Sequence, residues 1–219
     1  NNSAWLLRKM ISNCHCAPCE DLRPSLKPLP VPLNGPKIAK LLFDVHGHEL
    51  FQNGLFNSDP HAGNVLMLPD GKIGLIDYGA CMRLTEKQRS AIARLLVAVA
   101  DDNDEAVPEA FWACGFVSKK MDPRLALLLA HVSFNRGPYP ADMNRLAPIV
   151  GLPPEPSVMD LEAYVRGGRI DEIVHFPGHL VLLQRCCMVL SGIGMEMGAG
   201  RLSSAGMFKP SAMKWLEKE

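Results

Sequence analysis

The sequence predicts a mainly α-helical fold that contains one small β-hairpin. Apolar residues recur at the three- and four-residue spacing of buried helix faces in several long segments. Helix-start signals precede two of these segments, at Thr85 and at Asp122-Pro123. Two short apolar runs instead flank a Pro-Asp-Gly-Lys turn, as the strands of a hairpin do. This order of elements is not that of a parallel α/β sheet.

Residues 1–36 are predicted to be a proline-rich N-terminal tail or linker, and residues 37–219 one folded lobe. Six prolines and one glycine lie between Pro18 and Pro36, which favours extended chain. No second Cys-x-x-Cys or His pair follows nearby, so an ordinary tail is favoured over a zinc site. The side chains that a zinc site would use are Cys14, His15, Cys16 and Cys19.

The first helix is predicted over residues 37–53. Its apolar positions follow the pattern i, i+3, i+4, i+7. Gly54 is its natural stop, because glycine readily adopts the left-handed conformation that ends many helices. The apolar positions are Ile38, Leu41, Leu42 and Val45.

The hairpin is predicted to pair residues 65–68 with residues 73–76 across the turn at residues 69–72. Asn64 stands where the first strand begins, and Asp77 stands where the second strand ends. Antiparallel pairing therefore brings these two oxygen-bearing side chains to the same end of the hairpin.

Five further helices are predicted after the hairpin, starting with a capping box at Thr85 and Gln88. Residues 136–156 hold six prolines and few periodic positions, so a loop is predicted there. The predicted helices are one with the apolar face Ile92, Leu95, Leu96 and Val99, one at 103–114 ending at Gly115, one opening at Asp122-Pro123, a short one at 157–166, and a long one from Pro177.

Composition restricts the function classes. With 219 residues, 47% of them hydrophobic, the chain can bury a sizeable core. Lys+Arg and Asp+Glu both number 23, so charge gives no argument for nucleic acid as a partner. The seven unevenly spaced cysteines indicate reduced thiols. The longest apolar stretch, residues 179–200, contains Arg185 and Glu196, so a buried helix is predicted there and no transmembrane segment.

Three polar residues stand at informative spacing around the hairpin. Asn64 follows Asp59 by five positions, and Asp77 lies thirteen further on. Carboxylate and amide oxygens are the ligands that a hard cation such as Mg²⁺ prefers. The order and spacing resemble the ATP–magnesium site of kinase-like folds, with Asp59 beside the acceptor and Asn64 and Asp77 on the metal. A surface hairpin with polar ends is the alternative interpretation.

Longer segments of the sequence resemble one particular protein family. The segments at residues 54–66 and 70–79 resemble the two signature motifs of the UbiB family of atypical kinases. Residues 84–89 resemble that family's entry into the next helix. Residues 176–194 resemble its late segment, with Arg185 at the position of the family's arginine.

The resemblance implies a protein-kinase-like C-terminal lobe with ATP and Mg²⁺ as cofactors. It implies that Asn64 and Asp77 bind the metal and that Asp59 orients or deprotonates the acceptor. His61 stands two residues after Asp59, where protein kinases usually carry Lys. It is expected either to donate a hydrogen bond to the transferred phosphoryl group or to fix the loop by bonding a backbone carbonyl. Tyr78, at the family's Phe position, is expected to pack into the lobe.

An N-terminal kinase lobe is not recognisable in this sequence. There is no nucleotide-covering loop, no strand Lys with a helix Glu partner, and no Lys-x-Gly-Gln segment. The chain is therefore expected to be a fragment of a longer protein or an inactive relative. Kinase or ATPase activity is expected if the full-length protein supplies that lobe. A C-terminal lobe alone would expose an apolar face, so aggregation or a homodimer is expected.

Only five residues separate Gly79 from Thr85, which leaves no platform for a protein substrate. This favours ATP hydrolysis or transfer to a small or lipid-like acceptor. The family implies a role in quinone or prenyl-lipid metabolism in a mitochondrion or plastid, or at the membrane in bacteria, with a nucleotide and lipid or quinone-pathway proteins as partners. Two alternatives stay open. One is a small-molecule phosphotransferase of the aminoglycoside or choline kinase type, disfavoured by Ser58 before Asp59. The other is an inactive, pseudokinase-like binding module.

Overall fold

The computed structural model describes residues 34–68, 72–135, 141–152 and 170–219, together with Met159 and Gly167. Residues 1–33, with the cysteine and histidine cluster, lie outside the described residues. So do the hairpin turn at residues 69–71 and most of the predicted short helix at 157–166.

The described residues form a mainly helical fold with short antiparallel strand pairs. Among the described residues, Leu55–Asn57 pairs with Cys81–Arg83, Val65–Met67 with Ile73–Leu75, and Val117–Ser118 with Ile173–His175. The helices are α1 (Gly35–His48), α2 (Glu86–Ala100), α3 (Val107–Ala113), α4 (Pro123–Phe134), α5 (Ala141–Val150), α6 (Gly178–Glu196) and α7 (Ser204–Leu216). The strands are β1 (Leu55–Asn57), β2 (Val65–Met67), β3 (Ile73–Leu75), β4 (Cys81–Arg83), β5 (Val117–Ser118) and β6 (Ile173–His175).

The predicted first helix and its stop are present. The side chain of Asn34 caps α1 by accepting a hydrogen bond from the Lys37 backbone N–H at 3.0 Å. A π-helical turn, Glu49–Asn53, continues the helix to Gly54, whose φ is 66°. Glycine tolerates this left-handed conformation, so the chain reverses there into β1.

The predicted hairpin is also present. Strands β2 and β3 are antiparallel, with Val65 opposite Leu75 and Leu66 opposite Gly74. A second pair was not predicted: β1 lies antiparallel to β4, with Asn57 opposite Cys81. Strand β1 precedes the hairpin in sequence and β4 follows it, so their pairing joins the chain that enters the hairpin to the chain that leaves it.

Helix α2 lies at the centre of the core. Its predicted apolar face is fully buried, and α7 packs across both α2 and α1. Phe208 of α7 meets Phe43 of α1 with ring centroids 5.1 Å apart. The Arg89 guanidinium lies 4.1 Å from the ring centroid of Trp215 and donates to the Phe51 carbonyl at 3.1 Å. These contacts tie the helical layer to the turn before β1.

The prediction of a loop over residues 136–156 is wrong in part, because residues 141–150 form α5. Pro148 lies near the helix end, where it removes a single amide donor. Leu146, Ala147 and Val150 are buried, which favours the helix despite the proline. Arg145 fastens α5 to the loop between α2 and α3 through ion pairs with Asp102 at 3.0 Å and with Asp104.

Two other helices differ from prediction. The helix predicted at 103–114 begins only at Val107, because Asn103 forms a turn in which its backbone and side-chain oxygens accept from the Ala106 N–H. Helix α7 was not predicted. Ser203 caps it by accepting from the Gly206 N–H at 3.1 Å, and Pro210 lies inside it.

Helix α6 is, among the described residues, the one helix long and apolar enough to cross a membrane by length and composition. One of its faces belongs to the protein core: Leu180, Leu183, Cys187 and Leu190 are at most 1% exposed. The opposite face carries Arg185, which is half exposed. A core helix is the interpretation that this burial supports.

Thr85→Ala is expected to lower the free energy of unfolding by about 1 kcal/mol, because it removes one half of the capping box of α2. The Thr85 hydroxyl accepts from the Gln88 N–H at 3.2 Å, and the Gln88 side chain accepts from the Thr85 N–H at 2.9 Å. Urea denaturation measures the change. Thr85→Ser keeps the hydroxyl and is the control; equal losses in both variants would contradict a capping role.

Candidate functional site

The segment that follows β1 is held against the segment that follows β3. The Ser58 backbone N–H and its side-chain hydroxyl both donate to the Ala80 carbonyl, at 2.9 and 2.7 Å. Ser58 is 2% exposed, so this double contact is shielded from water. It sets the start of the loop that carries Asp59 beside the turn that carries Asp77.

Asn57 provides a second link between these segments. Its Oδ1 accepts from the Asp59 backbone N–H at 2.9 Å, and its Nδ2 donates to the Asp77 carbonyl at 3.1 Å. Asn57 is 4% exposed. A buried side-chain amide therefore joins the backbones of the two acidic residues. The sequence analysis missed this residue, because only the unpredicted pairing of β1 with β4 brings it near Asp77.

Asp59 and His61 share one tight turn but make different contacts. The Asp59 carboxylate forms an ion pair with Arg185 of α6, with Nη2 and Oδ2 2.7 Å apart. The exposed His61 ring accepts from the Gly63 backbone N–H through Nδ1 at 3.2 Å, which caps the short 3₁₀ turn Ala62–Asn64. His61 therefore helps to fix the loop, which is one of the two roles expected for it. It does so by accepting a hydrogen bond from a backbone N–H and not by bonding a backbone carbonyl. In the neutral ring this contact leaves the proton on Nε2.

Asn64 and Asp77 lie at the same end of the hairpin. Val65 pairs with Leu75, and the Ile76 N–H donates to the Asn64 carbonyl at 2.9 Å, so Asp77 directly follows the last ladder bond. The φ of Asp77 is 61°, a left-handed conformation that is uncommon and strained for a residue with a side chain. Asp77 Oδ1 accepts from the Gly79 N–H at 3.0 Å and helps to hold that conformation.

Gly79 leaves room for the Asp77 carboxylate in this turn. A Cβ atom added there would lie 3.0 Å from Asp77 Oδ1, at the limit of real Cβ contacts. Glycine therefore lets the backbone N–H approach the carboxylate.

The expectation that Tyr78 packs into the lobe is wrong. Its side chain is 49% exposed, and its hydroxyl donates to Glu49 Oε1 at 3.2 Å. Partial burial and the neighbouring Glu49 carboxylate raise the pKa of Tyr78, so the hydroxyl stays protonated at neutral pH. The hydroxyl that distinguishes Tyr from Phe here ties the turn of Asp77 to the π-helical turn after α1.

Cys81 is expected to react with iodoacetamide more slowly than N-acetylcysteine at pH 8. Although Cys81 is exposed, slight burial of its thiol and the negative charge of Glu49 raise the pKa of the thiol. The reactive thiolate is therefore less populated at a given pH. Peptide-resolved mass spectrometry between pH 7 and 9 measures the rate. Glu49→Gln is expected to speed the reaction, whereas Glu109→Gln, an exposed glutamate on α3, is the control. A Cys81 rate equal to that of N-acetylcysteine would contradict the prediction.

The donor set at the hairpin end fits a hard cation. Asn64 and Asp77 offer amide and carboxylate oxygens, and Mg²⁺ is commonly held by one or two carboxylates together with phosphate oxygens and water. Within the described ranges, no group of three or more His, Cys, Asp or Glu side chains could hold a metal ion. The arrangement fits a cation that a phosphate ligand helps to bind.

The site lies within the part of the chain that resembles known proteins. Residues 30–111 match the family model described as ABC1 atypical kinase-like domain. The chain is 38% identical over 65 residues to an uncharacterized protein of Synechocystis sp., covering 30% of this chain and 16% of that protein. It is 35% identical over 74 residues to the chloroplastic protein ACTIVITY OF BC1 COMPLEX KINASE 3 of Arabidopsis thaliana, covering 34% of this chain and 10% of that protein.

A third relative is an uncharacterized, chloroplastic aarF domain-containing protein kinase of Arabidopsis thaliana. It is 33% identical over 67 residues, which are 31% of this chain and 12% of that protein. The chain thus spans only a small part of the length of the relatives it matches. The matches confirm the predicted resemblance to the UbiB-like atypical kinase family.

Proposed function

We propose that this UbiB-like atypical kinase segment supplies the metal-binding and acceptor-facing half of an ATP-dependent kinase or ATPase site. Asn64 and Asp77 hold Mg²⁺, and Asp59 faces the acceptor. One observation carries the proposal: Asn57 joins the backbones of Asp59 and Asp77 through one buried side chain. The proposed metal ligand Asp77 and the proposed acceptor-facing residue Asp59 are therefore held in a fixed position relative to each other.

Each residue has a distinct task. When bound, Mg²⁺ would offset the negative charge of the nucleotide phosphates. Asn64 and Asp77 offer the oxygens, and the strained backbone of Asp77 presents its carboxylate at the hairpin end before any ligand arrives. Asp59 orients the attacking hydroxyl or water and accepts its proton.

The chain after Asp77 supports a small or lipid-like acceptor, or water. From Gly79 it passes directly into β4 and then to the Thr85 cap of α2, with no intervening segment on which a protein substrate could lie. The proposal therefore includes ATP hydrolysis or phosphoryl transfer to a non-protein acceptor.

A role in quinone or prenyl-lipid metabolism, with quinone-pathway proteins as partners, is proposed on the family resemblance alone. The plastid is the proposed compartment. Its support is that relatives from Arabidopsis thaliana are named as chloroplastic and that others come from the cyanobacterium Synechocystis sp..

Nucleotide titration of the full-length protein tests the proposed function. ATP is expected to bind with Mg²⁺ present and to bind at least about tenfold more weakly in EDTA or in the Asp77→Asn variant, because an essential metal ligand is lost. Asp44→Asn is the control, since Asp44 is an exposed aspartate on α1 that pairs with Lys40. Equal ATP affinity in wild type and Asp77→Asn would overturn the assignment. Magnesium-dependent binding without turnover would favour a binding module.

A further inference from the structure

The proposed site leaves one contact without a role, the ion pair between Asp59 and Arg185. These residues are separated by 126 positions, yet Arg185 Nη2 lies 2.7 Å from Asp59 Oδ2. We propose that Arg185 is a positioning residue that holds the Asp59 carboxylate in the orientation needed to meet the acceptor. This inference rests on the proposed function of Asp59.

Arg185 is well placed to position another residue, because its backbone is fixed. The next two residues of α6, Cys186 and Cys187, are 1% and 0% exposed, and Leu183 is fully buried. The helix is therefore anchored in the core on one side, while the arginine side chain extends from the other side to the loop. The backbone from which the Arg185 side chain extends is therefore held by the core and not by the loop that the guanidinium contacts.

The Asp59 side chain needs such a partner. Asn57 holds the Asp59 backbone N–H, but this contact does not restrain rotation of the carboxylate. The charge-assisted hydrogen bond from Arg185 Nη2 to Asp59 Oδ2 limits rotation of the carboxylate by holding one of its oxygens toward α6. With Oδ2 on Arg185, the second carboxylate oxygen is the one proposed to meet the acceptor.

Arg185 also brings a permanent positive charge beside Asp59. In protein kinases a Lys stands two residues after the aspartate, whereas here His61 stands there and accepts from the Gly63 backbone N–H through Nδ1. The guanidinium of Arg185 brings a permanent charge to Asp59 from a different element. This charge draws the Asp59 carboxylate toward α6, whereas Asn57 contacts Asp59 only through its backbone N–H.

Stability alone does not explain the contact. The Arg185 and Asp59 side chains are 56% and 29% exposed, and ion pairs this open to solvent contribute little to folding. Arg94 and Glu219 form a closely matched pair elsewhere, also 2.7 Å apart, with exposures of 61% and 35%. The chain thus contains a control pair of the same chemistry and exposure outside the site.

The kinetic test compares Arg185→Gln, Arg185→Lys and Arg94→Gln in the full-length protein. Arg185→Gln is expected to lower kcat for ATP turnover about 10- to 100-fold, with the KM for ATP and magnesium-dependent ATP binding changed less than about twofold. Arg185→Lys is expected to recover part of the loss, and Arg94→Gln is expected to leave kcat unchanged. Wild-type kcat in Arg185→Gln would overturn the inference.

A double-mutant cycle separates positioning from a general structural effect. If Arg185 acts through Asp59, Arg185→Gln causes no further loss of kcat when added to Asp59→Asn. Losses that multiply in the double variant would overturn the inference, because Arg185 would then act by another route.

A third measurement needs no turnover and separates this inference from the proposed function. The ¹³Cγ resonance of Asp59, assigned with Asp59→Asn, is expected to shift in Arg185→Gln and to stay in place in Arg94→Gln. An unshifted resonance in Arg185→Gln would overturn the inference. A protein that neither binds ATP with Mg²⁺ nor turns it over, but shows the shift, would instead contradict the proposed function and with it the catalytic purpose of the contact.

Discussion

Asp59→Asn is expected to lower ATP turnover by the full-length protein about 10²- to 10⁴-fold, which is the usual contribution of general-base catalysis. The amide has nearly the same shape as the carboxylate but accepts no proton. Magnesium-dependent ATP binding is expected to persist, because Asn64 and Asp77 are unchanged and the Asp59 backbone N–H still donates to Asn57. Phosphate release and equilibrium ATP binding measure the two effects separately.

Asp44→Asn again provides the control, since it makes the same substitution at an exposed position on α1. The proposed role of Asp59 would be wrong if Asp59→Asn turned over ATP at the wild-type rate. It would also be wrong if the variant lost ATP binding and turnover in equal measure, because Asp59 would then belong to the binding site.

Asn57→Ala is expected to weaken both the fold and the site. Removal of the amide leaves the Asp59 N–H and the Asp77 carbonyl without their partner. Loss of a buried hydrogen-bonding group costs about 1–3 kcal/mol in the free energy of unfolding. Because the same amide joins the segments of Asp59 and Asp77, magnesium-dependent ATP binding and turnover are expected to fall together. Denaturant unfolding and ATP titration measure the two losses.

Asn53→Ala is the matched control for this variant. Asn53 is the same residue type four positions earlier, and its side chain is exposed at the end of the π-helical turn. Its replacement is expected to change the free energy of unfolding by less than about 0.5 kcal/mol. Equal stability changes in the two variants, or full ATP binding by Asn57→Ala, would contradict a linking role for Asn57.

Local signals predicted the parts of the fold that depend on neighbours in sequence. The capping box at Thr85, the cap at Asp122, the stop at Gly54 and the β2–β3 hairpin all rest on residues a few positions apart, and all are present. Proline was the misleading signal in α5, where burial of the helix outweighs the single amide that Pro148 lacks. Helix α7 carries a proline as well, and its packing on α2 is a tertiary effect.

The candidate site likewise has features that the sequence predicted and contacts that only the structure shows. The spacing of Asp59, Asn64 and Asp77 could be recognised in sequence, as could the register that brings Asn64 and Asp77 to one hairpin end. The contacts that orient them could not, because Asn57 reaches Asp77 across 20 positions and Arg185 reaches Asp59 across 126. In sequence, Arg185 was recognised as a charge within an apolar stretch and as part of a family pattern, and the structure supplies its partner.

The most direct test of the central claim is a crystal structure of the full-length protein with Mg²⁺ and a non-hydrolysable ATP analogue. We expect a magnesium ion with the Asn64 and Asp77 side-chain oxygens at about 2.0–2.1 Å and with phosphate oxygens completing the shell. We also expect Asp59 to stay on Arg185 and outside that shell. A magnesium–nucleotide complex held elsewhere, with Asn64 and Asp77 making no contact to the metal, would contradict the proposed site.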